Sequence, residues 1–228
     1  MKLSVIIPVY NERRTIDLLI EKVLKVPIEK ELIIVDGNSF DGTKEILAKF
    51  EGKKDILVIY QKEKAGRGSA IKEGIKHAKG DIVIFQDADL ELDPNDYPFL
   101  LEPIEKQEAT VVFGSRFLRK HQTAKMGFFQ YWGNMVINFL VNLLFSTKLT
   151  DVETCYQVFK KEAIDNIEIE NNDFAFTVEL TVKLLKKGYN IKEIPISYIP
   201  RGRQEGKKIY WQDGFASVWT IFKYKFLN

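Results

Sequence analysis

Up to Gly114 the chain alternates short runs rich in β-branched and aromatic residues with segments of helical period, and this rhythm constrains the fold more than any single motif. Strands are expected at Leu3 to Pro8, Leu32 to Asp36, Ile56 to Tyr60, Ile82 to Phe85 and Thr110 to Phe113. Helices are expected near Thr15 to Leu24, Thr43 to Phe50, Ser69 to Lys79 and Asn95 to Lys106. Nearly continuous apolar strands are covered on both faces, and strand–helix–strand units cross over right-handedly. The pattern therefore predicts an α/β fold, a mostly parallel sheet flanked by helices. Asp93-Pro94 reads as a helix start, a capping carboxylate followed by a proline whose missing N–H costs nothing there. After Gly114 the rhythm breaks into a long uncharged segment, a strand-like run from Cys155 to Phe159, a helix near Phe174 to Lys187, a strand near Ile191 to Ile199 and a basic tail. No repeat or low-complexity linker divides the 228 residues, so one domain over 1–228 is expected.

The apolar fraction of 45% with 29% charged residues belongs to a globular chain, neither disordered nor membrane-embedded. A net charge of +2 gives no general case for a nucleic-acid partner. The single cysteine, Cys155, excludes an internal disulfide and a cysteine-rich zinc site, and nothing demands an oxidising compartment. With no cationic start and apolar signal core at the N-terminus, a cytoplasmic location is the expectation.

The run Ile82 to Phe85 leads directly into Asp87 and Asp89, two carboxylates spaced i, i+2. Open α/β sheets place ligands at the carboxyl ends of their strands, and two close carboxylates repel unless a cation lies between them. Hard oxygen donors on such a loop suit Mg²⁺ or Mn²⁺ carrying a diphosphate; the plain alternative is an acidic turn. Asp36, ending the second strand, either caps a turn or contacts a nucleoside. Gly66-Arg67-Gly68 precedes a helix, where backbone N–H groups and Arg67 suit phosphate; a plain helix-start turn reads the same way, and the spacing is neither a P-loop nor a dinucleotide fingerprint. Arg116 follows the fifth strand as a phosphate-binding fork or as the partner of an aspartate. Arg201, Arg203, Lys207 and Lys208 crowd into eight residues, as a solvated loop or as a phosphate lid.

From Met126 to Thr147 there is no charge, and about 20 such residues meet the length of a membrane span. Gln130, Asn134, Asn138 and Asn142 recur every fourth residue, however, and form one polar stripe on a helix. A crossing would also part Arg116 from Asp151. The segment is read as one or two amphipathic helices covering the sheet or lying at a lipid surface, with Phe128, Phe129, Tyr131 and Trp132 as interfacial anchors. Phe215 to Leu227 has a similar aromatic and basic mixture.

Leu3-Ser-Val-Ile-Ile-Pro8-Val-Tyr10-Asn-Glu12, Val35-Asp36-Gly-Asn-Ser-Phe-Asp41-Gly-Thr43, Gly66-Arg67-Gly68 and the Asp-x-Asp follow in an order that resembles the family 2 glycosyltransferases of GT-A (Rossmann-like) fold. Val111-Val-Phe-Gly-Ser-Arg116, Thr150-Asp151-Val-Glu153-Thr-Cys155-Tyr156, Glu193-Ile-Pro195-Ile-Ser-Tyr198-Ile-Pro-Arg201 and Glu205-Gly-Lys207-Lys208 resemble the branch containing dolichyl-phosphate mannose and glucose synthases. The resemblance covers nearly the whole chain. It implies a nucleotide-sugar-binding half (1–114), an acceptor-binding half (115–228) with a basic C-terminal loop, and amphipathic interface helices toward the C-terminus. It implies Asp87, Asp89 and Glu91 as ligands of Mg²⁺ or Mn²⁺, and Pro8, Tyr10, Glu12, Asp36, Arg67, Asp87, Arg201, Arg203 and Lys207 around the donor. Asp89, Arg116, Asp151 and Glu179 fall at the implied catalytic positions. Cys155 is read as a packing residue, because neither His77 nor His121 lies in a resembling motif.

The implied activity is metal-dependent, inverting transfer of a hexose from a GDP- or UDP-sugar to a polyprenyl (dolichyl) phosphate, by an enzyme peripheral on the cytoplasmic face of a membrane. An ionised phosphomonoester attacks directly and needs no base. The alternatives are transfer to a sugar hydroxyl of a glycolipid or polysaccharide, with Asp151 or Glu179 as base, and a non-catalytic nucleotide-sugar-binding subunit serving a membrane-protein partner. Two positions depart from the family pattern. Glu91 stands where mannosyl relatives often carry glutamine. Gly37 stands where relatives carry an acid that reads the base, which predicts tolerance of both guanosine and uridine unless Gly37 merely supplies a left-handed turn.

Overall fold

The computed structural model describes residues 1–119, 123, 126–201 and 211–227, with the side chains of 211–213 excepted. Seven strands form one sheet: β1 (Leu3–Val9), β2 (Lys30–Asp36), β3 (Ile56–Tyr60), β4 (Ile82–Phe85), β5 (Val111–Ser115), β6 (Gln157–Lys160) and β7 (Ile191–Pro195). Their order is β3-β2-β1-β4-β6-β5-β7. All neighbours are parallel except β6, which runs antiparallel between β4 and β5. The expected α/β class and mostly parallel sheet are the observed ones.

Burial follows strand alternation. Val5, Ile7 and Val9 face one core with α1 (Ile16–Lys25) and α4 (Tyr97–Glu105), while Ile6 faces the other core with α3 (Arg67–His77). That second core also takes α5 (Phe128–Phe145), α6 (Lys161–Asp165), α7 (Phe176–Lys186) and α8 (Trp211–Phe226). The short α2 (Thr43–Leu47) follows β2 and buries Leu47. Asp93 caps as expected, its carboxylate accepting the Asn95 amide at 3.1 Å, but the helix begins as a 3₁₀ turn over Pro94–Asp96.

The uncharged segment is one helix, α5, within the expected one or two, and among the described residues no helix is long and apolar enough to cross a membrane. One expectation is corrected and one alternative is excluded. The strand expected to reach Ile199 stops at Pro195; beyond it Tyr198 makes only an isolated antiparallel bridge to Leu92, which lays 196–201 over the loop that leaves β4. Gly37 is not left-handed; the left-handed residue of that turn is Asn38, at φ 64°.

Candidate active site

The strand order turns back on itself at β1 and β4, the place where open α/β sheets leave a crevice between carboxyl ends. The loop leaving β4 carries Asp87, Asp89 and Glu91, and at its centre Leu90 adopts φ 64°. A large side chain takes that conformation only where its surroundings impose it, typically at functional sites. Here Asp89 accepts the Glu91 amide at 3.1 Å, the Glu91 carbonyl accepts from Ile199 at 2.9 Å, and the Glu91 carboxylate accepts the Arg201 amide at 2.8 Å.

Guanidinium groups approach this loop from two sides. Arg67 Nε donates to Asp87 at 2.7 Å while its guanidinium lies 4.8 Å from the centre of the Phe176 ring. Arg201 sits 3.0 Å from Glu12, 2.7 Å from Asp89 and 3.9 Å from Glu91. Among the described residues four carboxylates, those of Glu12, Asp87, Asp89 and Glu91, meet two guanidinium groups here. Burial, and then the neighbouring Asp87, push Asp89 up to about 7 despite the pull of Arg201. A cluster that raises a carboxylate's proton affinity in this way favours a further cation, and its all-oxygen donor set fits Mg²⁺ or Mn²⁺. As folded, no group of three or more potential ligands among the described residues is arranged to hold a metal ion; Arg201 stands among the carboxylates instead.

Arg116 closes the other wall. Its Nε and Nη2 donate to the two oxygens of Asp151, each at 2.7 Å, and its backbone N–H adds a third bond at 2.9 Å. Nη2 also donates to Asn134 of α5 at 3.0 Å. Asp151 is wholly buried, so this pair is costly to break from either side. Behind it Glu193 of β7 accepts from Thr150 and from the Asp151 amide, and Asn138 of α5 accepts the Val152 amide at 2.9 Å. Arg116 thus partners an aspartate and also lines a narrow cavity of about 10 Å³ with Asp87, Asp89, Glu91, Cys155 and Tyr198. Burial, then Asp87, push the Cys155 thiol well above its ordinary range, which keeps it neutral and non-nucleophilic.

At the ends of β1 and β2, Asp36 is fully buried and accepts the Ser39 amide at 2.9 Å. Tyr10 lies beside it, its ring edge-on to Phe40 at 6.2 Å with Lys64 Nζ 4.6 Å above its centre. Pro8 is half-buried within β1, opposite Val35. Glu12, grouped by sequence with the nucleoside, is drawn into the acidic cluster by Arg201. Side chains at Gly66 or Gly68 would strike the backbone of Asn171 and Asn172, and Ser69 N–H donates to Asn172 O at 3.1 Å. These glycines therefore let another loop pack closely at the start of α3, from which Arg67 reaches Asp87.

Glu179 stands apart from the cavity. Its carboxylate accepts from the amides of Glu170 and Asn171, the Asn171 side chain and Lys183, all within 2.8 Å. Burial alone would raise its pKa, yet Lys183 and those amides hold it below the usual carboxylate range, as befits a structural clamp. Glu153 accepts from Ser217 of α8. Arg203, Lys207 and Lys208 lie outside the described residues. Asn134 enters the sequence reading only through the polar stripe of Gln130, Asn134, Asn138 and Asn142, and Glu193 only as the first residue of a resembling segment.

The sequence model for glycosyl transferase family 2 matches residues 4–168. A dolichol-phosphate mannosyltransferase of Pyrococcus furiosus is 29% identical over 91% of this chain and 59% of its own length. Glycosyltransferase AglD of Haloferax volcanii is 26% identical over 89% of this chain and 34% of its own. The chain thus spans less than two thirds of the length of these two curated relatives. In structure it resembles glucosyl-3-phosphoglycerate synthase from Mycobacterium tuberculosis in complex with Mn²⁺, UDP and phosphoglyceric acid, with a TM-score of 0.71 at 18% identity, over 99% of this chain and 78% of that one.

Proposed function

Because the chain belongs to glycosyl transferase family 2, we propose that it transfers a hexose, with inversion, from a nucleoside-diphosphate sugar to a polyprenyl phosphate at the cytoplasmic face of a membrane. Asp87, Asp89 and Glu91 are the residues that would hold a divalent cation, which when bound supplies positive charge against the departing diphosphate. The Mn²⁺ and UDP of the structural neighbour support this reading of cation and donor. Arg67 and Arg201 bring planar N–H forks to the same cluster, a shape suited to phosphate oxygens. Arg116, fixed by Asp151 and Asn134, orients toward the cavity without the freedom to fold away. No general base is required, since a phosphomonoester is mostly ionised at neutral pH. Asp151 and Glu179 support this, because both carboxylates are already engaged by several donors.

The observation that carries the lipid acceptor is that α5 buries Asn134 and Asn138 beside Ile137 and Val141 while it leaves large aromatic side chains outside. Asn134 and Asn138 are only 4% and 5% exposed, whereas Phe128, Phe129, Phe139 and Leu143 are 70%, 84%, 64% and 63% exposed. The outer face of α8 adds Phe215, Trp219 and Phe226, and Lys225 Nζ donates to the Leu144 carbonyl, which joins the two helices. An uncharged aromatic face of this size, with Lys223 and Lys225 at its edge, suits an anionic lipid surface on which the helices lie without crossing. Through Asn134 that same helix holds Arg116, which sets the cavity beside the lipid.

A panel of nucleotide sugars with membrane lipid extract tests the reading. Label from one donor is expected in the organic phase as an acid-labile monophosphosugar. Label found only in polymer or only in water rejects the lipid-phosphate acceptor.

A further inference from the structure

We propose that this chain reads its donor's base with Gln61 acting beside Asp36, and that the base so selected is guanine; the inference rests on the nucleoside-diphosphate-sugar donor argued above. Asp36 is 0% exposed, and the Ser39 amide takes its Oδ2. Its Oδ1 is shielded from solvent and receives no hydrogen bond among the described residues. Gln61 follows β3 directly and is pinned beside Asp36 by its own N–H, which donates to the Asp36 carbonyl at 2.9 Å. The Gln61 carboxamide donates through Nε2 to Ser69 Oγ at 3.1 Å, which directs Oε1 elsewhere. That oxygen is also shielded and also receives no hydrogen bond.

Gly37 follows Asp36 in the chain and lies near the Gln61 oxygen. A side chain there would begin 3.8 Å from Gln61 Oε1, 3.7 Å from the Tyr10 ring and 3.4 Å from the Val9 carbonyl, all ordinary contacts. Since its φ is not left-handed either, neither backbone strain nor crowding demands glycine at this position. The glycine leaves space beside the Gln61 oxygen, so an acceptor supplied from the residue after β3 stands in for one supplied from residue 37.

Two water-shielded acceptors without donors are unfavourable alone and call for a ligand that brings N–H groups. Guanine presents two adjacent donors, N1–H and the N2 amino group. Uracil presents a single N3–H between two carbonyls, so a second acceptor would face an oxygen with no proton to share. Adenine and cytosine each set one amino group beside a ring acceptor and meet the same mismatch. The Tyr10 ring lies beside Gly37 with Lys64 Nζ 4.6 Å over one face, and Phe40, 81% exposed, stands edge-on to it.

Calorimetric titration of the folded 228-residue chain with GDP and with UDP, each with Mg²⁺, tests the assignment without any acceptor. Wild type is expected to bind GDP at least about tenfold more tightly than UDP, the worth of one hydrogen bond. Gln61→Ala should lose about that factor for GDP and little for UDP, and Gly37→Asp added to Gln61→Ala should restore it. Gln61→Glu, which can only accept, should keep the preference. Equal or tighter binding of UDP by wild type overturns the proposal, as does reversal of the preference by Gln61→Glu. Equal loss for both nucleotides in Gln61→Ala would make Gln61 merely structural. Should neither diphosphate bind a protein whose circular dichroism is native, the donor reading of the preceding subsection falls as well.

Discussion

α1 and α5 are both amphipathic, but α1 buries only apolar residues, whereas α5 buries asparagines together with Ile137 and Val141. α1 buries Ile16, Leu19, Ile20 and Val23 and leaves Asp17, Glu21 and Lys25 in water. α5 turns Asn134, Asn138 and Asn142 inward and leaves Phe129, Phe139 and Leu143 outside. The difference lies in what each helix covers. Beneath α1 is the apolar face of the sheet, where burial is favourable in proportion to area. Beneath α5, beside the apolar core that takes Ile137 and Val141, is the 149–152 loop, whose backbone groups must be paired once water is excluded. Asn142 takes Leu149 N and O, Asn138 takes Thr150 O and Val152 N, and Asn134 takes Arg116. A stripe that reads as a solvated face is therefore a docking face, and the apolar side is left for a different solvent.

The comparison can be broken most forcefully where the underside of α5 meets the buried ion pair. Asp151→Asn leaves Arg116 buried without its counter-charge and should cost about 3–5 kcal/mol in chemical denaturation. A change below 1 kcal/mol would mean that Arg116 finds water, and that α5 does not seal this loop. On α1, Leu19→Ala should cost about 2–5 kcal/mol through lost transfer energy and a cavity. Asn138→Leu tests the asparagine stripe directly. Although it adds apolar volume to a buried helix face, it should destabilise by roughly 2 kcal/mol, because two buried backbone groups lose their partner. A rise in the urea midpoint would refute the docking role of the stripe.

On the outer face the prediction changes sign in kind. Phe129→Ser with Phe139→Ser should alter stability by less than about 0.5 kcal/mol while reducing flotation with anionic vesicles by roughly tenfold. Unchanged flotation, or a dimer that the double variant dissolves, would assign that face to protein rather than lipid. The smallest effect concerns how α8 is held. Lys223, then Lys183, hold the Glu170 carboxylate down to about 2, from an ordinary value of 4.5. A folded-state pKa below the unfolded one gives stability that is present above pH 4.5 and lost as the pH falls toward 2. Because Glu170 is 43% exposed, solvent screening keeps this small. Urea midpoints measured from pH 5 to pH 2 should fall less steeply in Glu170→Gln than in wild type.

Much of the first half was legible because its signals are local. The apolar runs of β1 to β5 and the capped turn at Asp93 depend on neighbours a few residues away. The carboxylates of the acidic loop could be placed at a sheet edge because Ile82 to Phe85 reads as a buried strand. Their partners could not, since Arg67 and Arg201 reach Asp87 and Asp89 from 20 and 112 residues away. Nor does anything local reveal that β6 runs backwards between β4 and β5, or that β7 stops at Pro195, as both follow from pairing across the sheet. Gln61 carries no motif; its meaning arises only beside Asp36 and Gly37.

The sequence by itself determined the class of fold, the strand on which the acidic loop stands and the period of each helix, because propensity, periodicity and capping act over one or two turns of chain. The tertiary structure alone decided which face α5 buries, which guanidinium answers which carboxylate, and which acceptors near Gly37 are left without a donor. These outcomes depend on desolvation. A polar group keeps water until some distant segment removes it, and only then must a specific partner replace the water.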